Sequence, residues 1–100
     1  MADLTPYRGK RAILLGMPLT LPAYKRWRAA VLIAVPAIGL EYADEWFGTP
    51  AAETLVREAA HIGAACVLIV GRNRWRTQTR ALGLPVLRVR RDGSVEVHDG

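Results

Sequence analysis

Apolar residues fall into short blocks separated by glycine, proline and charged positions, and the period changes from block to block. "RAILLG" (11–16) is a brief apolar run closed by glycine, the form of a first strand. "LPAYKRWRA" (21–29) reads as a short helix, with Pro22 in its first turn and Lys25, Arg26 and Arg28 toward solvent. "AVLIAVPA" (30–37) is rich in Val and Ile and continuous rather than alternating, which predicts a strand buried on both faces and ended by Pro36. One helix from Ala23 through Leu40 is the competing reading, opposed by Pro36 and Gly39.

The next element is the clearest. Thr49 is placed to cap a helix with Pro50 at its first position, and Ala52, Leu55, Val56, Ala59 and Ile62 share one face up to a stop at Gly63. Glu53 and Arg57 lie one turn apart outside that stripe, the spacing of an ion pair, and His61 continues their row. "ACVLIVG" (65–71) is a second fully apolar strand. Asn73 then caps a short helix, "RWRTQTRAL", that stops at Gly83. A three-residue turn, Arg91, Asp92 and Gly93, sets Val89 opposite Val95, Arg88 opposite Glu96 and Leu87 opposite Val97, so residues 86–97 form a hairpin with one apolar face.

The resulting order is β, α, β, α, β, α, β, β. It predicts one α/β domain over residues 1–100, a small three-layer, mostly parallel, Rossmann-like sheet with helices on both faces and a C-terminal β-hairpin edge strand. With 100 residues, half of them apolar, the chain is long enough for one core. Cys66 is the sole cysteine and sits within an apolar run, so it is expected as a small buried hydrophobe in a reducing compartment. The N-terminus carries no apolar signal segment and no run is long enough to span a bilayer, which points to a cytoplasmic protein without membrane contact.

Charge sharpens the picture. The net charge is +5, and 12 of 14 basic residues are arginine, the residue suited to planar contacts with phosphates and carboxylates. Leu4 to Leu40 holds six basic residues and no acid, Glu41 to Glu58 five acids and only Arg57, and Ala59 to Arg91 seven arginines and no acid. In a parallel sheet the ligand edge is formed by the loops leaving the carboxyl ends of the strands. Those loops read "GMPLTLP", "GLEYADEWFGT" and "GRNRW", which sets an acidic loop (Glu41, Asp44, Glu45) beside a basic one (Arg72, Arg74).

Arginines at a helix start oppose the positive end of its dipole unless an anion is shared between them and the helix. Arg72, Arg74, Arg76 and Arg80 are therefore candidate phosphate contacts. Lys25, Arg26 and Arg28 would extend the surface, and Trp75 and Trp27 are candidate stacking residues. The alternative is an internal salt network in which Arg72 and Arg74 answer Glu41, Asp44 and Glu45.

Glycine-rich phosphate loops are absent, and His61, His98 and Cys66 give no metal-ligand spacing, so neither a cofactor nor a metal is indicated. Ser94 is the single serine and lies beside a turn, which argues against a serine hydrolase. The run from "CVLIVG" to "TQTRALGLPVLRVR" resembles the end of a restriction-endonuclease-like core. Val70, Gly71 and Arg72 stand where that family carries its acidic and lysine residues, so no catalytic residue is assigned. "ILLGMPLT" and "DEWFGTPAAE" resemble two short segments of nucleoside deoxyribosyltransferases, with a longer spacing to the next glycine. That resemblance implies a nucleotide-sized ligand facing Asp44, Glu45 and Glu53.

Three functions follow as expectations. The first is non-catalytic binding of nucleic acid or another polyanion through the arginines and tryptophans. The second is a protein or enzyme acting on a phosphorylated or nucleoside-like compound, with Glu41, Asp44, Glu45 and Glu53 on the ligand edge. The third is an assembly or inhibitory protein that docks on a larger partner or on its own copies.

Overall fold

The computed structural model describes residues 3–98; residues 1, 2, 99 and 100 of the expected domain lie outside them. After a single 3-10 turn at Thr5–Tyr7 come β1 (Arg11–Gly16), α1 (Leu21–Ile38), β2 (Tyr42–Phe47), α2 (Ala52–Ile62), β3 (Ala64–Val70), α3 (Arg76–Leu82), β4 (Val86–Val89) and β5 (Val95–His98). The strands form one sheet in the order β2-β1-β3-β4-β5, with the first four parallel and β5 antiparallel to β4. The expected α/β architecture and element order are those of the structure, although two elements occupy different residues.

The expected strand at 30–37 is the second half of α1. Its buried positions are Trp27, Ala30, Val31, Ala34 and Ile38, a helical spacing that lays one stripe on the sheet. Thr20 starts the helix by accepting a hydrogen bond from the Ala23 N–H (3.2 Å), and Gly39 ends it in the left-handed conformation (φ 80°), with its N–H on the Val35 and Pro36 carbonyls. Pro36 is tolerated because it lies in the last turn on the solvent side, where the carbonyl it leaves unbonded is open to water.

The second strand is then drawn from the segment expected as an acidic loop. "YADEWF" pairs with β1 from Arg11↔Tyr42 to Gly16↔Phe47 as an edge strand. Having a neighbour on one side only, it carries charge that an interior strand would not.

The sheet is covered on both faces. Ala12, Leu14, Cys66, Leu68, Leu87 and Val89 meet α1, whereas Ile13, Leu15, Val67, Ile69 and Val86 meet Leu55 and Ala59 of α2 and the side chain of Trp75. β1 and β3 are thus buried on both sides, which is why their sequences are continuous apolar runs. Cys66 is fully buried and its thiol is pushed up to about 12 by burial, so it stays protonated and inert.

At the start of α2, Ala51 rather than Thr49 precedes the helix, and no side chain caps it. The Pro50 carbonyl instead accepts a hydrogen bond from Gln78 Nε2 of α3 (3.0 Å), tying the two helices together. Val56, expected on the buried face, is 40 % exposed because the stripe against the sheet narrows to Leu55 and Ala59. Glu53 and Arg57 form no ion pair among the described residues.

The hairpin has the expected register, Val89↔Val95, Arg88↔Glu96 and Leu87↔Val97. Gly93 has φ 86°, and a Cβ there would lie 2.5 Å from Ile33 of α1, so the turn needs glycine both for its backbone and for its seat on the helix. Among the described residues no helix is long and apolar enough to cross a membrane.

Candidate functional site

β1 connects to β2 on one side of the sheet, and the chain then returns to β3 on the other side of β1. Strand order therefore reverses between β1 and β3, and a crevice opens outside their carboxyl ends. A cavity of about 270 Å³ occupies that crevice. It is bounded by Met17 and Pro18 after β1, by Ala23, Arg26, Trp27 and Ala30 on the first turns of α1, and by Val70, Gly71, Arg74 and Trp75 at the end of β3, with Arg91 from the hairpin turn.

Arg26, Arg74 and Arg91 reach this cavity from three separate elements, all three are exposed, and no carboxylate of the described residues lines it. Where ion pairs form among the described residues, they lie elsewhere. Glu41 holds Arg11 (3.2 Å), and Glu96 holds Arg90 (2.8 Å) and Arg88 (3.8 Å). The internal salt network expected for Arg72 and Arg74 is not formed.

The acidic residues are not gathered at the site either. Glu41 precedes β2, at the opposite end of the strand from the crevice. Asp44 accepts hydrogen bonds from the Tyr42 hydroxyl (3.2 Å) and Trp46 Nε1 (2.9 Å), Glu45 points outward, and Glu53 sits on α2. The acidic ligand edge inferred from Glu41, Asp44, Glu45 and Glu53 is replaced by an edge strand whose carboxylates are dispersed.

The basic candidates separate into groups. Arg26 and Arg74 line the cavity. Arg72 is exposed just after β3, and Lys25 and Arg28 are exposed on α1. Arg76 and Arg80 border a different groove with Asn73, Thr79 and His98. Arg91, which sequence reasoning assigned only to the turn, belongs with the cavity; the signal was its place at the carboxyl end of β4.

Both candidate stacking tryptophans are buried, which removes them as surface platforms for a base. Trp75 is 1 % exposed and its Nε1 donates to the Gly48 carbonyl at 2.7 Å, so the indole is part of the core. Trp27 is 7 % exposed, stacked on Tyr24 (6.0 Å between centroids) and tilted against Phe47 (5.2 Å). Its Nε1 has no hydrogen-bond partner, alone among the buried side-chain polar atoms of the described residues. Asn73 does not cap α3 as expected: the helix begins at Arg76 after Trp75 with no side-chain cap, and Asn73 Oδ1 instead accepts from the Trp75 N–H at 2.8 Å in the turn ahead of it. Comparison of the chain with protein-family models, with curated proteins and with solved structures finds no match.

Proposed function

We propose that this protein binds nucleic acid or another phosphate-bearing polyanion, without catalysis, across the carboxyl edge of its sheet. One observation carries the reading: Arg26, Arg74 and Arg91 converge from α1, the β3 loop and the hairpin turn on the crevice where strand order reverses, and none is engaged by a carboxylate of the described residues. Exposed arginines without a carboxylate partner attract phosphate, and a polyanion releases condensed cations when it meets them. Arg72 beside the crevice, and Lys25 and Arg28 on the adjoining helix, extend the basic surface beyond one phosphate.

Fluorescence-anisotropy titration of single- and double-stranded DNA and RNA tests the reading, at about 50 and about 200 mM salt. Binding should weaken steeply with salt. Arg72→Glu/Arg74→Glu should lose most of it, with the salt slope reduced by about one per phosphate contact removed. Binding that ignores salt, or no binding, overturns the proposal.

A partner-docking reading is favoured by a different observation. Leu32 (60 %) and Ile33 (54 %) stand exposed on the outer face of α1, in a stretch from Ala29 to Leu40 that contains no charged residue. Under that reading Leu32→Lys abolishes assembly seen by light scattering or pull-down and leaves nucleic-acid binding unchanged.

A further inference from the structure

Three tryptophans are part-buried or buried in this protein, and two have their indole N–H satisfied within the fold, Trp46 by Asp44 and Trp75 by Gly48. Trp27 is the exception. Its ring forms part of the cavity wall, more than nine-tenths buried, and it reaches that place because residue 16 is glycine. A Cβ on Gly16 would lie 2.7 Å from Trp27 Nε1 and 2.8 to 2.9 Å from two further ring atoms. The unused donor therefore lies over the last residue of β1, at the strand end where the order reverses. A buried N–H without an acceptor disfavours the folded chain unless something supplies that acceptor.

The same cavity gathers three guanidinium groups and, among the described residues, no carboxylate. Like charges that repel one another around a concave site are stabilised by an anion placed between them. The first turns of α1, an 18-residue helix, add the positive end of its dipole on the same side.

We infer that the switch-point cavity, with Arg26, Arg74, Arg91 and the indole N–H of Trp27, is a binding site for a phosphomonoester. This rests on the phosphate-binding reading above and deepens it. A terminal phosphate carries close to two charges and three free oxygens, whereas a bridging phosphate carries one charge and two. Donors arriving from α1, the β3 loop and the hairpin turn match the first geometry. Met17, Ala30 and Val70 give the cavity an apolar side for the group attached to the phosphate. Its volume, about 270 Å³, sits just below the span of ordinary small-molecule sites and so admits a phosphate with a compact substituent. The phosphomonoester can be the end of a nucleic-acid strand or a free nucleotide, and the test separates them.

Tryptophan-fluorescence and calorimetric titrations would use one short DNA oligomer with a phosphate at its 5′ end, at its 3′ end, or at neither, together with a nucleoside 5′-monophosphate and the parent nucleoside. A terminal phosphate should raise oligomer affinity about tenfold or more, the worth of one or two charge-assisted hydrogen bonds. That preference should vanish in Arg74→Ala and Arg91→Ala, whose side chains are exposed and do not support the core, and survive in Arg80→Ala, which borders the other groove. Trp27→Phe, which keeps an aromatic ring and removes the N–H, should shrink the preference.

Equal affinity for all three oligomers, or a preference that survives Arg74→Ala and Arg91→Ala, overturns the cavity site and leaves polyanion binding standing. A nucleoside monophosphate that binds where no oligomer does sustains the site and overturns the nucleic-acid proposal. Failure of every probe overturns both.

Discussion

The two sides of the switch-point cavity each pair a buried tryptophan with an exposed arginine, yet they are finished in different ways. On the β3 side, Trp75 is fixed by directional bonds. Its Nε1 donates to the Gly48 carbonyl, its main-chain N–H to Asn73 Oδ1, and its carbonyl accepts from the Thr79 hydroxyl at 2.9 Å. On the α1 side, Trp27 is held by shape: by Tyr24, by Phe47, and by the missing side chain of Gly16. The bonded wall has no side-chain donor left from its indole, and the shaped wall retains one. A sequence with two tryptophans in similar basic settings, "KRWR" and "RNRWR", thus gives one anchor of the core and one group with chemistry still to offer.

Deleting the bonded wall should have the largest effect. Trp75→Ala is expected to lose about 3–5 kcal/mol in urea unfolding, because it opens a cavity and strands the Gly48 carbonyl. A loss below about 1 kcal/mol would mean that the β3 side is no better anchored than the other.

The shaped wall should yield to crowding. Gly16→Ala forces a methyl group into the Trp27 ring and is expected to cost about 1–3 kcal/mol. Trp27→Phe removes the ring atoms that meet that methyl. The double variant should be more stable than the two single effects predict when added, by about 0.5 kcal/mol or more. Strict additivity would show that the indole does not depend on Gly16 for its place.

The smallest effect distinguishes paired arginines from unpaired ones. A hydrogen bond from Arg90 holds the Glu96 carboxyl below its usual range. A carboxyl whose folded pKa is depressed stabilises the fold above its unfolded value, here near 4.5, and that contribution fades as pH falls through the lower folded value. Arg90→Ala should flatten this part of the acid limb in urea titrations between neutral pH and pH 3, whereas Arg74→Ala should leave it as it is. An equal change in both would erase the contrast between the hairpin and the cavity.

Much of this was legible in the sequence where local chemistry and burial agree. The hairpin register follows from Gly93 and the alternation on either side of it, and β3 from seven residues with no polar side chain among them. The boundary between α1 and β2 was not legible because α1 is apolar on its solvent face as well. With Leu32, Ile33, Pro36 and Ala37 outside and Val31, Ala34 and Ile38 inside, the helical period disappears into a run that reads as a strand. The true strand was hidden by Asp44 and Glu45, charges admissible only at a sheet edge. At the site, the arginines Arg26 and Arg74 were visible as a cluster of charge. Arg91 and the unpartnered indole of Trp27 were not, since both depend on which strand ends lie side by side.

The placement of β2 at the rim of the sheet has a bearing on how copies of this chain behave when crowded. Its outer backbone groups form a six-residue template that another strand could extend. Asp44 and Glu45 lie at the centre of that template. Two such rims meeting antiparallel about their midpoints would bring four carboxylates together with no arginine between them. The acids that disguised the strand in the sequence thereby oppose edge-to-edge polymerisation.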